Sequence, residues 1–285
     1  MKRRDFLKQS ALASSLFFIP GFLKAFENSN PNNIGYKRLV MIQLAGGNDG
    51  LNTIVPFTND DYYRSRPKIA LQKNDLIEVS DSLGFHSSLL PLKKLYDQGN
   101  LTVINNVGYP NPDRSHFRAT DIWMSASDSN TVVNSGWAGR FLDAEFPNFP
   151  NGYPNASMTD PLAIQIGSAT SLTFQGPAVS MGMSISNTSS FYNLINGVRD
   201  TAPNTPAGKE LNFVRMVAQQ TQQYAAIIKD AAAKVPTQVT YPTSNSLGDQ
   251  LKIVARLIKG GLKTKIYLVN YGGFDTHAGQ AVSTD

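Results

Sequence analysis

An apolar run that stops at paired glycines and an acid occurs twice in this chain of 285 residues. Leu39-Val-Met-Ile-Gln-Leu44 runs into Ala45-Gly46-Gly47-Asn48-Asp49, and Lys265-Ile-Tyr-Leu-Val-Asn270 runs into Tyr271-Gly272-Gly273-Phe274-Asp275-Thr276-His277. Each run is short, nearly uncharged and bounded by turn residues, which predicts a buried β-strand. The glycines let the backbone turn sharply. The acids then fall just past the carboxyl ends of two strands, the edge where open α/β sheets place their sites. Asn-Asp-Gly also makes an ordinary turn. The second copy, with His277 beside it, moves the reading towards a site.

The order of the other elements supports a parallel sheet. Residues 87–98 read as a helix with Leu89, Leu92, Leu95 and Tyr96 on one stripe and Gly99 as C-cap, followed by Leu101-Thr-Val-Ile-Asn-Asn-Val107 as a second buried strand. Leu247, Leu251, Val254 and Ile258 make another helical stripe, which Gly260-Gly261 stop before the strand at 265–270. Helices and strands alternating in this way predict an α/β fold with a mostly parallel sheet flanked by helices. Val55-Pro-Phe57 and residues 60–67 read as irregular loop, and 209–234 as the longest helix. The stretch 125–207 is rich in Ser, Asn, Thr, Gly and Pro, with its clearest strand at Leu162-Ala-Ile-Gln-Ile166; it reads as a loop-rich cap over the sheet edge. The expected organisation is a leader at 1–26, a polar linker at 27–37 and one α/β domain over 38–285.

The leader Lys2-Arg3-Arg4-Asp5-Phe6-Leu7-Lys8 resembles a twin-arginine export signal, with an apolar stretch from Ala11 through Phe22. That stretch is too short and too interrupted, by Pro20 and Gly21, for a good transmembrane helix. The expectation is export in a folded state to the periplasm or beyond, with no stable membrane span after cleavage. The formal charge of +5 comes mostly from this segment, since residues 1–26 carry five basic residues and one acid. The remainder is near neutral and gives no argument for nucleic-acid binding. No cysteine is present, which excludes disulfides and thiolate metal sites.

Asp275-x-His277 is the best local metal signal, since a carboxylate and an imidazole two residues apart can reach one ion from a loop. Oxygen and nitrogen ligands suit a divalent ion, with Zn²⁺ or Mn²⁺ favoured and Ca²⁺ or Mg²⁺ allowed. Ser115 precedes a helix start at Phe117-Arg-Ala-Thr-Asp-Ile-Trp-Met124, where free N–H groups favour an anion; it reads either as an N-cap or as part of an anion site. Arg114, Arg118 and Arg140 are candidate anion clamps, and Asn48 stands beside the first acid. His86 reads as structural or capping.

Together, Leu44-Ala-Gly-Gly-Asn-Asp-Gly-Leu-Asn52, Gly84-Phe-His86, Val107-Gly-Tyr-Pro110, Arg114-Ser-His-Phe117, Gly136-Trp-Ala-Gly-Arg140 and Phe274-Asp-Thr-His277 resemble an exported bacterial family, domain of unknown function 1501. That family looks like a distant branch of the alkaline phosphatase and sulfatase superfamily. The resemblance implies metal ligands at Asp49, Asp275 and His277 and a nucleophile at Ser115 with His116 beside it. It also implies a further Asp-His-Gly segment beyond Asp285. The expected activity is metal-dependent hydrolysis of small anionic phosphate or sulfate esters. The alternative is a non-catalytic envelope protein that keeps the fold and binds a protein partner.

Overall fold

A computed structural model describes residues 37–186, 205, 221, 223–235 and 241–280. The leader, most of the linker and the first half of the helix expected at 209–234 lie outside the described residues. The chain divides into two compact units. One holds 111–271 with the chain up to Gln43, and the other holds 44–110 with 272–285.

The first unit is built on a four-stranded parallel sheet. Its strands are β1 (Leu39–Leu44), β5 (Ala163–Ile166), β6 (Gly182–Ile185) and β7 (Ile266–Tyr271), in the order β1-β7-β5-β6. Strands β2 to β4 belong to the other unit. Ala163 pairs with Gly182 on one side and Ile266 on the other. The Leu39 amide donates to the Lys265 carbonyl at 2.9 Å and brings the start of β1 beside the start of β7. Near-continuous apolar runs are what a sheet covered on both faces requires.

Alternate residues go to opposite faces. Ala163, Ile266 and Leu268 share a core with Trp137, Phe141 and Leu142 of α5 (Trp137–Glu145). Ile164, Ile166, Tyr267 and Val269 share one with Ile228, Ala231 and Ala232 of α6 (223–233) and Val254 and Leu257 of α7 (Ser246–Lys259). Helix α7 begins at an Asn245 cap, whose Oδ1 accepts from the Gly248 amide at 2.7 Å. Gln250 pins the end of β7 by bonding both the amide and the carbonyl of Asn270.

The described part of 125–207 is therefore more than a cap, because it contributes β5 and β6 to the sheet. The sparse charge that made it look like loop is what a buried strand needs. The Gly136-Trp-Ala-Gly-Arg140 motif is a packing device. A Cβ at Gly136 would lie 2.0 Å from the Leu172 carbonyl oxygen, and one at Gly139 would lie 2.2 Å from that of Gln175.

The second unit has a three-stranded antiparallel sheet, β2 (Ile54–Val55), β4 (Gly84–His86) and β3 (Leu76–Glu78), in that order. Its small core joins Val55, Phe57 and Tyr62. Residues 60–67, expected as loop, contain α2 (Asp60–Ser65). Asn59 caps it by accepting from the Asp61 amide at 2.9 Å, and Asp60 and Asp61 complement the helix dipole. α3 (Leu90–Asp97) ends as expected. Gly99, at φ +72°, turns the chain so that the Asn100 amide reaches the Leu95 carbonyl at 2.8 Å. The apolar stripe of α3 is not buried: Leu95 is 42% exposed.

The strand expected at 101–107 does not form. Residues 101–110 take no strand conformation, Asn106 sits in the left-handed region at φ +58°, and Ile104 is 76% exposed. β-propensity expresses fit to a neighbouring strand, and no strand among the described residues pairs with this run.

Candidate functional site

Both Gly-Gly-x-Asp loops fall in the second unit and meet there. Gly46 has φ +95°, and a Cβ on it would lie 3.2 Å from the Asp275 Cβ. Glycine is required at this position twice over, by the backbone angle and by the close approach.

The first loop is wired by hydrogen bonds. Asp49 caps α1 (Gly50–Thr53), its Oδ1 accepting from the Asn52 amide at 3.3 Å. Its Oδ2 accepts from Arg66 Nη1 at 2.6 Å and from Gln280 Nε2 at 2.5 Å. Asn48 Nδ2 donates to Thr53 Oγ1 at 3.1 Å, and Thr53 Oγ1 donates to the Asp49 carbonyl at 2.8 Å. Asn52 extends the network by donating to the Ile69 carbonyl and accepting from the Tyr62 hydroxyl, each at 2.8 Å. Burial alone would raise the Asp49 carboxyl. Hydrogen bonds from Arg66 and Gln280, the Arg66 charge and the Asn52 amide outweigh it and hold the carboxyl below its ordinary value. Asp49 is thus an ionised acid already neutralised by a cation, and an added metal ion would have to compete with Arg66 for it.

The second loop is open. The His277 Nε2 lies 3.0 Å from both carboxylate oxygens of Asp275. The two side chains are 38% and 78% exposed, the histidine more. Ligand atoms about 2.0–2.1 Å from a tetrahedral zinc stand roughly 3.3 Å apart, so a small movement of this pair suffices to admit an ion. His277 takes φ +45°, a left-handed conformation uncommon outside glycine. Such strain concentrates at sites where a side chain must be aimed.

Ser115 and His116 belong to the first unit, at the start of α4 (His116–Ser125). Ser115 stands at the N-cap position, yet its side chain makes no capping hydrogen bond. Its amide instead donates to Asp113 Oδ1 at 2.7 Å, and its carbonyl accepts the first helical bond from Ala119 at 2.9 Å. The hydroxyl is exposed at the positive end of a ten-residue helix. Arg114 beside it is also exposed.

Two other arginines are committed elsewhere. Arg118 Nη2 donates to the carbonyls of Asp128, Ser129 and Thr131 and gathers the loop after α4. Arg140 bonds the carbonyls of Ser125 and Ser135, and burial lowers its pKa. Neither guanidinium is placed as a substrate clamp. His86, read as capping, does cap: its Nδ1 accepts from the Ser88 amide at 3.2 Å.

Arg66 and Gln280 were not among the sequence candidates. No linear spacing marks them, since Arg66 lies seventeen residues and Gln280 two hundred and thirty-one residues from Asp49. The second unit also has a cleft of about 810 Å³ lined by the Asp49–Arg66 pair and the exposed Asn105-Asn106 step, which sequence reading placed in a buried strand. No helix among the described residues is long and apolar enough to cross a membrane. No family profile matches the chain, and neither a curated protein nor a solved structure matches it.

Proposed function

We propose that the protein is an exported, metal-dependent hydrolase of phosphate or sulfate esters. The observation that carries the reading is the Ser115 hydroxyl, exposed at a helix N-terminus and not spent on its cap. There the helix dipole and free backbone amides favour an anionic ester over water. The Ser115 oxygen attacks phosphorus or sulfur, the bond to the ester oxygen breaks, and water later cleaves the serine ester. His116 takes the hydroxyl proton and returns it to the departing alkoxide. Asp275 and His277 would hold a divalent ion, and Asp49 would join them in exchange for its bond to Arg66. The ion would supply positive charge that lowers the hydroxyl pKa and offsets charge developing in the transition state. Arg114 draws the anion towards the helix start.

Metal analysis combined with aryl phosphate and aryl sulfate assays on the full-length protein tests the reading. Ser115→Ala abolishes turnover and leaves the metal in place. Turnover that survives this change removes the nucleophile, and a folded protein that takes up no Zn²⁺ or Mn²⁺ removes the mechanism.

A second reading is a non-catalytic envelope protein with a protein partner. The exposed apolar side chains favour it, notably Phe117 at 87% and Val132 at 78% in the first unit. A co-purifying partner in the absence of any hydrolytic activity decides for it.

A further inference from the structure

The cleft of the second unit shares Asp49 with the proposed metal set, and the rest of its lining has a chemistry that the hydrolase reading does not use. It measures about 810 Å³, within the roughly 300–1,000 Å³ of ligand sites. Its one ion pair is closed: Asp49 and Arg66 lie 2.6 Å apart and neutralise each other. An anion arriving there meets a guanidinium already paired, and a cation meets a carboxylate already paired. The rest of its polar lining is amide: Asn48, Asn59, Asn105, Asn106 and Gln280. Asn105 and Asn106 are exposed. Gln280 spends its amino group on Asp49 and keeps its carbonyl oxygen.

An amide side chain both donates and accepts, and so does a hydroxyl, whereas a phosphate only accepts and an ammonium only donates. The apolar lining comes from Ile54, Pro56 and Leu83 together with Leu51, Ile104 and Val107, the last three 46%, 76% and 80% exposed. Aliphatic walls beside bifunctional amides match a molecule with C–H faces and a rim of hydroxyls. No aromatic ring lines the cleft, so a stacked nucleobase lacks its usual platform.

We infer that this cleft binds an uncharged carbohydrate, held at its rim by Asn105 and Asn106. The inference goes beyond ester hydrolysis and stands without it, since neither asparagine belongs to the proposed catalytic or metal set.

The test is titration calorimetry of the full chain with maltose, cellobiose and lactose. Tetraglycine probes the competing chemistry, a peptide backbone. At least one disaccharide binds saturably, and tetraglycine does not. Asn105→Ala weakens that binding by about tenfold, the loss of one amide's hydrogen bonds. Asn106→Gly, which keeps the left-handed backbone angle of +58° open to the chain, weakens it by a similar factor. Both changes fall on an exposed loop, and circular dichroism checks that each variant is folded. Binding persists in Ser115→Ala, which separates this result from any outcome for the hydrolase. Silence of all three disaccharides at concentrations on the order of 50 mM overturns the inference. So does affinity unaltered in both variants, or binding of tetraglycine as tight as that of the best sugar.

Discussion

The two Gly-Gly-x-Asp loops share a sequence device and a place after a strand, but they do different physical jobs. After β1, Gly46 turns back at φ +95° against Asp275, and the Asp49 carboxylate gathers a helix amide, a guanidinium and an amide side chain. After β7, a Cβ added at Gly272 would meet nothing within 4 Å, and Asp275 faces the largely exposed His277. The acid in a motif becomes structural when a guanidinium, an amide side chain and a helix amide hold its oxygens within the fold, and stays closer to chemistry when its partner is itself an exposed imidazole. The repeated motif locates the loops and leaves that distinction open.

The largest expected effect separates the glycines. Gly46→Ala must hold a left-handed angle and also push Asp275 away, so it loses about 2–4 kcal/mol of stability. Gly272→Ala has open space and no positive φ, and stays within about 0.5 kcal/mol of the parent. Urea denaturation of the two variants measures both. Equal losses erase the contrast between the loops.

Arg66→Ala comes next. Arg66 and Asp49 are about one-fifth exposed at their side chains, unlike the open pair of the second loop. Removing the guanidinium leaves a partly buried carboxylate with weaker partners and costs about 1–3 kcal/mol. The same change tests the metal assignment, since Arg66 competes for the oxygen that an ion would use. If Asp49 is a ligand, Arg66→Ala binds Zn²⁺ more tightly than the parent; unchanged affinity confines Asp49 to structure.

A smaller effect follows in acid. The folded Asp49 carboxyl titrates below its ordinary value of 3.8, so in that range the unfolded chain binds more protons than the folded one. Its contribution is complete above pH 3.8 and is lost as pH falls through the lower folded value. Urea midpoints at about pH 3 and pH 7 therefore differ more in the parent than in Arg66→Ala, which lacks the principal partner. An equal difference in both proteins shows that other carboxyls carry the acid sensitivity.

The frame of the first unit was legible because its signals are local. Strands β1, β5 and β7 and helix α7 read from apolar runs, periodicity and glycine stops, and alternation then assigned their two faces. What failed depends on neighbours that a sequence does not display. Leu101-Thr-Val-Ile-Asn-Asn-Val107 has the composition of a buried strand but no strand beside it among the described residues. The charged run at 59–65 hid a helix whose signal, Asn59 before two acids, was present but overlooked. Within the candidate site, Asp275 and His277 were readable from their spacing. The Asp49–Arg66–Gln280 contact was not, because two loops far apart in the chain must fold before it exists.

The smallest expected effect is at His277. Its left-handed backbone angle of +45° costs the folded chain energy, about 1 kcal/mol for a non-glycine residue, and its exposed side chain recovers little through the pair with Asp275. His277→Gly relieves the angle but loosens the unfolded chain by a comparable amount, so stability changes by less than about 0.5 kcal/mol. If the imidazole is there for metal chemistry, the same variant loses Zn²⁺ while its urea midpoint stays where it was. A variant that instead unfolds more than 1 kcal/mol more easily, by the scale usual for structural positions, makes the β7 loop as structural as the β1 loop. The second acid would then need the same explanation as the first.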